Sequence, residues 1–115
     1  MALYLIHAYE DMYGGLHGME DVLILEEDNE EEVRLTAKEM SMDVIDSYSS
    51  IRDALEEEAA EYHEIDSDEY WNTVDELIEE DIAYDYWKLS DEYSEQEYNI
   101  MLTSEGWEEV QKYAV

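Results

Sequence analysis

Asp75, Glu76, Glu79 and Glu80 recur at the three- and four-residue steps that place side chains beside one another on a helix. Carboxylates so arranged sit roughly 5–6 Å apart, comparable with the spacing of phosphates along one nucleic-acid strand. The chemistry open to such a row is electrostatic rather than covalent. It presents a phosphate-like field to a basic surface. The pattern repeats upstream in Glu31, Glu39, Asp43 and Asp46, and again in Asp53, Glu57 and Glu61. These eleven acidic residues flank apolar stripes and are the candidate partner-binding residues.

The whole chain shares this bias. Its 115 residues hold 35 Asp and Glu against five Lys and Arg, a formal charge of −30. Such an imbalance opposes compaction by self-repulsion, and no packing requirement calls for it. A compact domain of this length has a radius of gyration of roughly 13 Å and is about 35 Å across. Duplex DNA of that length carries on the order of 20 phosphate charges. The chain thus matches or exceeds the charge of DNA its own size, which points to a partner built to hold nucleic acid. The same field repels polyanions, so direct nucleic-acid binding is excluded even though aromatic residues could stack on bases.

Other chemistries find no constellation. His7, His17 and His63 match no metal or triad spacing, and the sequence is read as non-enzymatic. Gly14-Gly15-Leu16-His17-Gly18 lacks the Lys of a P-loop and the spacing of a dinucleotide fingerprint. Asp66-Ser67-Asp68-Glu69 and Glu26-Glu27-Asp28-Asn29 offer oxygens without the loop spacing of an EF-hand. Close acidic pairs arise by chance in such a chain and do not specify a glycosidase. With no Cys there is no disulfide, thiolate metal site or thiol nucleophile. No cofactor and no metal are expected.

The elements that must position the acidic rows are legible from periodicity. Leu3 to Tyr9 alternates as a strand, with Leu3, Leu5, His7 and Tyr9 opposite Tyr4, Ile6 and Ala8. Gly14-Gly15 and Gly18 mark a loop, and Val22-Leu23-Ile24-Leu25 reads as a strand buried on both faces. Asn29 caps a helix opened by Glu30, Glu31 and Glu32, with Glu32 completing an approximate capping box. Val33, Ala37, Met40, Val44, Tyr48, Ile51 and Leu55 form a stripe that allows one helix over about 30–62, open to a kink at Ser47 to Ser50. Leu35, Met42 and Ile45 lie off that stripe and mark a second buried face or a homodimer contact. Ser67 caps a further helix carrying Tyr70, Trp71, Val74, Leu77 and Ile78. Ala83 to Leu89 is a third strand with Tyr84 and Tyr86 on one face, Ser94 and Glu97 form the capping box of a last helix carrying Tyr98, Met101 and Leu102, and Gly106 precedes a short last turn. Tyr48, Tyr70, Tyr98 and Tyr113 sit on apolar stripes and read as core. Residues 1–115 thus read as one α+β domain, a small antiparallel sheet of about three strands covered by three or four amphipathic helices.

Disorder is opposed by an apolar fraction of 45%, with eleven Tyr and three Trp placed periodically. Halophilic adaptation is opposed by the 23 Glu against 12 Asp. Met1 to Tyr9 lacks the basic start of a signal peptide, and no run reaches the ~18 apolar residues of a membrane span. A cytoplasmic setting is expected, with no membrane partner.

Over its whole length the chain resembles, in composition and size, the DNA-mimic inhibitors of phages and mobile elements. That class includes antirestriction proteins, anti-CRISPR proteins and uracil-DNA glycosylase inhibitors. Tyr4 to Val33, with Gly15-Leu16-His17-Gly18 in its loop, is also similar to the opening of a plasmid antirestriction family. The resemblance implies a phage-encoded protein in the host cytoplasm that occupies the DNA-binding surface of a restriction enzyme, CRISPR effector or glycosylase. The alternatives are an acidic adaptor that binds a basic protein without displacing DNA, and a dimeric structural protein.

Overall fold

The computed structural model describes residues 2–10, 20–47 and 49–115. The glycine loop with His17 lies outside them, as do Tyr48 and the Ile51 side chain. The described residues form a three-stranded antiparallel sheet and five helices, the α+β class expected. Strand β1 (Leu3–Glu10) is central, between β2 (Glu20–Glu26) and β3 (Ile82–Lys88). The register sets Ile6 opposite both Leu23 and Tyr86.

Alternation along β1 sends apolar residues to both faces, so both must be covered. Helix α1 (Glu30–Ser47) covers one, packing Val33, Ala37 and Met40 on Tyr4, Ile6, Leu25, Tyr84 and Tyr86. Helices α4 (Glu95–Glu105) and α5 (Trp107–Gln111) cover the other, where Tyr98 and Val110 meet Leu5, Ile24 and Leu89. The strand buried on both faces is therefore β1, not Val22 to Leu25 as expected. As an edge strand β2 leaves Leu23 exposed. The fully buried Ser41 hydroxyl fastens α1 to the sheet, donating to the Tyr9 carbonyl (2.5 Å) and accepting from the Ala83 N–H (3.0 Å).

The single helix over 30–62 is corrected to two, α1 and α2 (Ser49–Ala60). Serine is a poor helix-interior residue because its side chain can compete for backbone hydrogen bonds, and the sequence clusters three of them at 47, 49 and 50. Helix α2 packs on α3 (Asp68–Asp81), where Leu55 and Ala59 join Ile45, Tyr70, Val74 and Ile78 in a third core beside the sheet. The expected caps of α3 and α4 form. Ser67 accepts from the Tyr70 N–H (3.2 Å), and Ser94 and Glu97 exchange both bonds of a capping box. At α1 the Asn29 side chain accepts from the Glu31 N–H (3.0 Å), but its own N–H donates to Glu27 (3.2 Å), so Glu32 closes no box. Gly106, at φ +95°, makes the left-handed corner between α4 and α5 that glycine adopts most readily.

Setting the α2–α3 hairpin beside the sheet elongates the molecule. It measures 55 × 29 × 17 Å with a radius of gyration of 16.7 Å, well beyond the compact value expected.

Candidate acidic interface

Residues 30–81, which build α1, α2 and α3, hold twenty carboxylates against three cations, or −17 of the −30 net charge. All eleven sequence-predicted acidic residues lie on these elements or just past α2, and all are exposed. Apolar periodicity explains why. Once Val33, Leu55, Val74 and their neighbours are turned into cores, the intervening carboxylates have only solvent to face.

The helix ends make this charge costly. No α-helix from α1 to α5 has a basic residue in its last turn. α3 instead ends on Glu79, Glu80 and Asp81, at the negative end of its dipole. Glu76 and Glu80 add a like-charge i,i+4 pair on one face.

Few cations offset the field. Arg34 grips Glu31 through two bonds of 3.1 and 2.5 Å and holds its carboxyl below the usual carboxylate range. Lys38 reaches Glu79 at 3.0 Å, linking α1 to α3, and Arg52 lies 2.7 Å from Asp46 and 3.5 Å from Glu56. Of the eleven candidates, Glu31, Asp46 and Glu79 are thus partly neutralised. Glu39, Asp43, Asp53, Glu57, Glu61, Asp75, Glu76 and Glu80 form no ion pair among the described residues. With so little compensation, screening should strengthen the fold. The Debye length falls from about 10 Å at 0.1 M salt to about 3 Å at 1 M. Each 1 kcal/mol of repulsion relieved is worth roughly 4 °C at this size. Thermal melts in NaCl from 10 mM to 1 M should therefore rise, and a flat or falling series would rule out strong native-state repulsion.

The proposed dimer contact is corrected at Ile45. That side chain is fully buried between α1, α2 and α3, because α1 has a second face and the α2–α3 hairpin occupies it. Leu35 and Met42 remain 39% and 38% exposed, too little apolar surface on α1 to argue for a second copy.

Several grooves cross the surface of the described residues. One of about 340 Å³ between α1 and α3 is lined by Lys38, Met42, Asp75, Glu76, Ile78 and Glu79. A second, of about 280 Å³, lies between α2 and α3 beside Ile65. A third, about 640 Å³ along α4, is lined by Glu95, Gln96, Asn99, Ile100, Thr103 and Ser104 and stands apart from the acidic helices. Sequence reasoning missed Tyr62 and Ile65, which are exposed in the α2–α3 turn. The available signal was two apolar residues just beyond Glu58, where the stripe lapses.

Among the described residues, His7, Glu27 and Asp28, weighed for other chemistry, have structural partners. His7 is buried, 2.5 Å from a Glu20 oxygen and stacked on Trp107 with ring centroids 4.2 Å apart. Glu27 and Asp28 accept backbone N–H groups that close the turn into α1. Among the described residues no group of three His, Asp or Glu is arranged to hold a metal ion, and no helix is long and apolar enough to cross a membrane. The chain matches no protein-family model, no curated protein and no solved structure.

Proposed function

We propose that the protein is a DNA mimic, an inhibitor that occupies the DNA-binding surface of a nucleic-acid-binding defence or repair protein. The observation that carries this reading is linear charge density. Thirty net negative charges along 55 Å amount to about one per 1.8 Å, against one per ~1.7 Å of duplex DNA. The mechanism is competitive occupation. Lys and Arg of the target release their counterions to carboxylates on α1, α2 and α3 instead of to phosphates, with no covalent step and no cofactor. Placement of Glu79, Glu80 and Asp81 against the α3 dipole supports the reading, since that charge works against the helix that bears it. The setting on this reading is the cytoplasm of the host cell, where restriction enzymes, CRISPR effectors and glycosylases meet DNA.

Competition tests it. A target captured from host lysate is loaded with its duplex and then titrated with this protein. The expected result is displacement of the duplex, with affinity falling as salt rises and no binding of free duplex to the protein itself. A stable complex of protein, target and duplex together would reject mimicry and establish the adaptor reading.

A further inference from the structure

The turn between α2 and α3 exposes two large apolar side chains that the fold does not use, Tyr62 at 72% and Ile65 at 65%. Ile65 also lines a groove of about 280 Å³, with Ala60 and Tyr70 on its apolar part and Asp53, Glu56 and Glu57 on its acidic part. An apolar channel with a carboxylate border suits a ligand with a hydrocarbon stem and a cationic head. Neither water-exposed phosphate nor another −30 molecule fits that description.

The geometry points to this groove as the socket for one arginine side chain of the basic partner, its stem against Ala60 and Ile65 and its guanidinium beside Asp53 and Glu57. The assignment rests on reading the acidic face as a partner surface. Arg52 shows how these helices take such a group, lying between Asp46 and Glu56 at 2.7 and 3.5 Å. Asp53 and Glu57 lie on the same helix, exposed and without an ion pair among the described residues. Burial first, then the carboxylates Glu56 and Asp66, raises the pKa of the Tyr70 hydroxyl above its ordinary value, so the groove does not favour a further negative charge. Arginine fits better than lysine because its planar, weakly hydrated guanidinium packs on aromatic rings and forms forked bonds to carboxylates. Phosphate offers a DNA-binding protein charge alone. The socket adds an apolar surface around the same arginine, a component that salt does not screen.

The test uses the full chain and two amidated twelve-residue peptides, one alternating Ala with Arg, the other alternating Ala with 2-amino-3-guanidinopropionate. The two carry equal charge, but the second lacks the long stem. In 0.5 M NaCl the Arg peptide should bind more tightly and should shift the Ile65 and Ala60 methyl resonances. Ile65→Ala should weaken the Arg peptide about fivefold and leave the short-stem peptide unchanged, as expected when apolar area is removed at an exposed side chain. Asp53→Asn with Glu57→Gln should weaken both. Equal affinity of the two peptides, an equal effect of Ile65→Ala on both, or methyl shifts confined to other surfaces would overturn the socket. No DNA enters this measurement. Loss of the Ile65 effect with duplex displacement intact removes the socket alone, while a retained effect with no displacement removes mimicry alone.

Discussion

Tyr98→Ala should leave the chain largely unfolded at room temperature. Tyr98 is fully buried at the centre of the α4–α5 face of the sheet, against Leu5, Ile24, Leu89 and Val110. Its ring also meets Tyr93 and Tyr113 edge-on, at centroid distances of 5.5 and 6.0 Å. Such pairs contribute about 0.5–1.5 kcal/mol beyond their buried area. Its hydroxyl donates to the Ser90 carbonyl at 2.8 Å and lies 3.0 Å from the Ser90 hydroxyl. Truncating a large buried aromatic costs about 3–5 kcal/mol, against a total stability of roughly 5–15 kcal/mol for a domain. Self-repulsion at −30 places this chain toward the lower end of that range. Tyr98→Phe keeps the ring packing and gives up only the hydrogen bonds, at about 1–3 kcal/mol. Urea melts followed by circular dichroism should rank wild type above Tyr98→Phe and both far above Tyr98→Ala. A Tyr98→Ala midpoint near wild type would show that the α4–α5 layer is not part of the cooperative core.

Tyr98 also shows what the sequence made legible. Its place on the stripe after Ser94 was enough to assign it to the core, as the capping serines were enough to start α3 and α4. Burial of Tyr70 and the shared strand face of Tyr84 and Tyr86 followed from the same periodic reading. What periodicity could not supply was which element each stripe meets. Ile45 looked like an interface residue because a helix stripe records only that a face is apolar, not whether α3 or a second chain covers it. For the same reason Val22 to Leu25 read as doubly buried although β2 is an edge strand. The stacking of Trp107 on His7, and of Trp87 on Trp107, joins residues far apart in the chain and had no local signal.

The acidic rows behaved differently. Exposure of all eleven carboxylates was readable from spacing, because charged residues between apolar stripes have only one place to go. Partial neutralisation of Glu31, Asp46 and Glu79 was not. An Arg34–Glu31 pair at i,i+3 is visible in sequence, but Lys38 meeting Glu79 across 41 residues depends on α1 packing beside α3. The elongation that brings charge density close to that of duplex DNA is likewise a tertiary fact, since it depends on how the helices pack beside the sheet.

Stability and inhibition should therefore move in opposite directions when the end of α3 is reversed. Asp75→Lys, Glu76→Lys and Glu80→Lys together change the net charge from −30 to −24, since each substitution adds two charges. All three positions are exposed and unpaired among the described residues, so the cores stay intact. The triple variant exchanges the Glu76–Glu80 carboxylate pair for a like-charged Lys pair, so its gain comes from the lower net charge and from Glu80→Lys, which places a cation in the last turn of α3 where the dipole favours it by about 0.3–1 kcal/mol. Its melting temperature should rise by a few degrees, at roughly 4 °C per kcal/mol. Binding to the target should fall about 100-fold at 0.1 M salt, because like charges facing each other across an interface cost several kcal/mol. The slope of log affinity against log salt should also shrink by up to about three, one for each phosphate-like carboxylate replaced. A second triple variant, Asp91→Lys with Glu92→Lys and Glu105→Lys, makes the same change in net charge near α4, away from the acidic helices. If that control weakens binding equally, net charge alone attracts the target and α3 is no interface. If the α3 variant loses stability together with binding, the charge at its C-terminal end serves the fold, and the tension between helix dipole and function disappears.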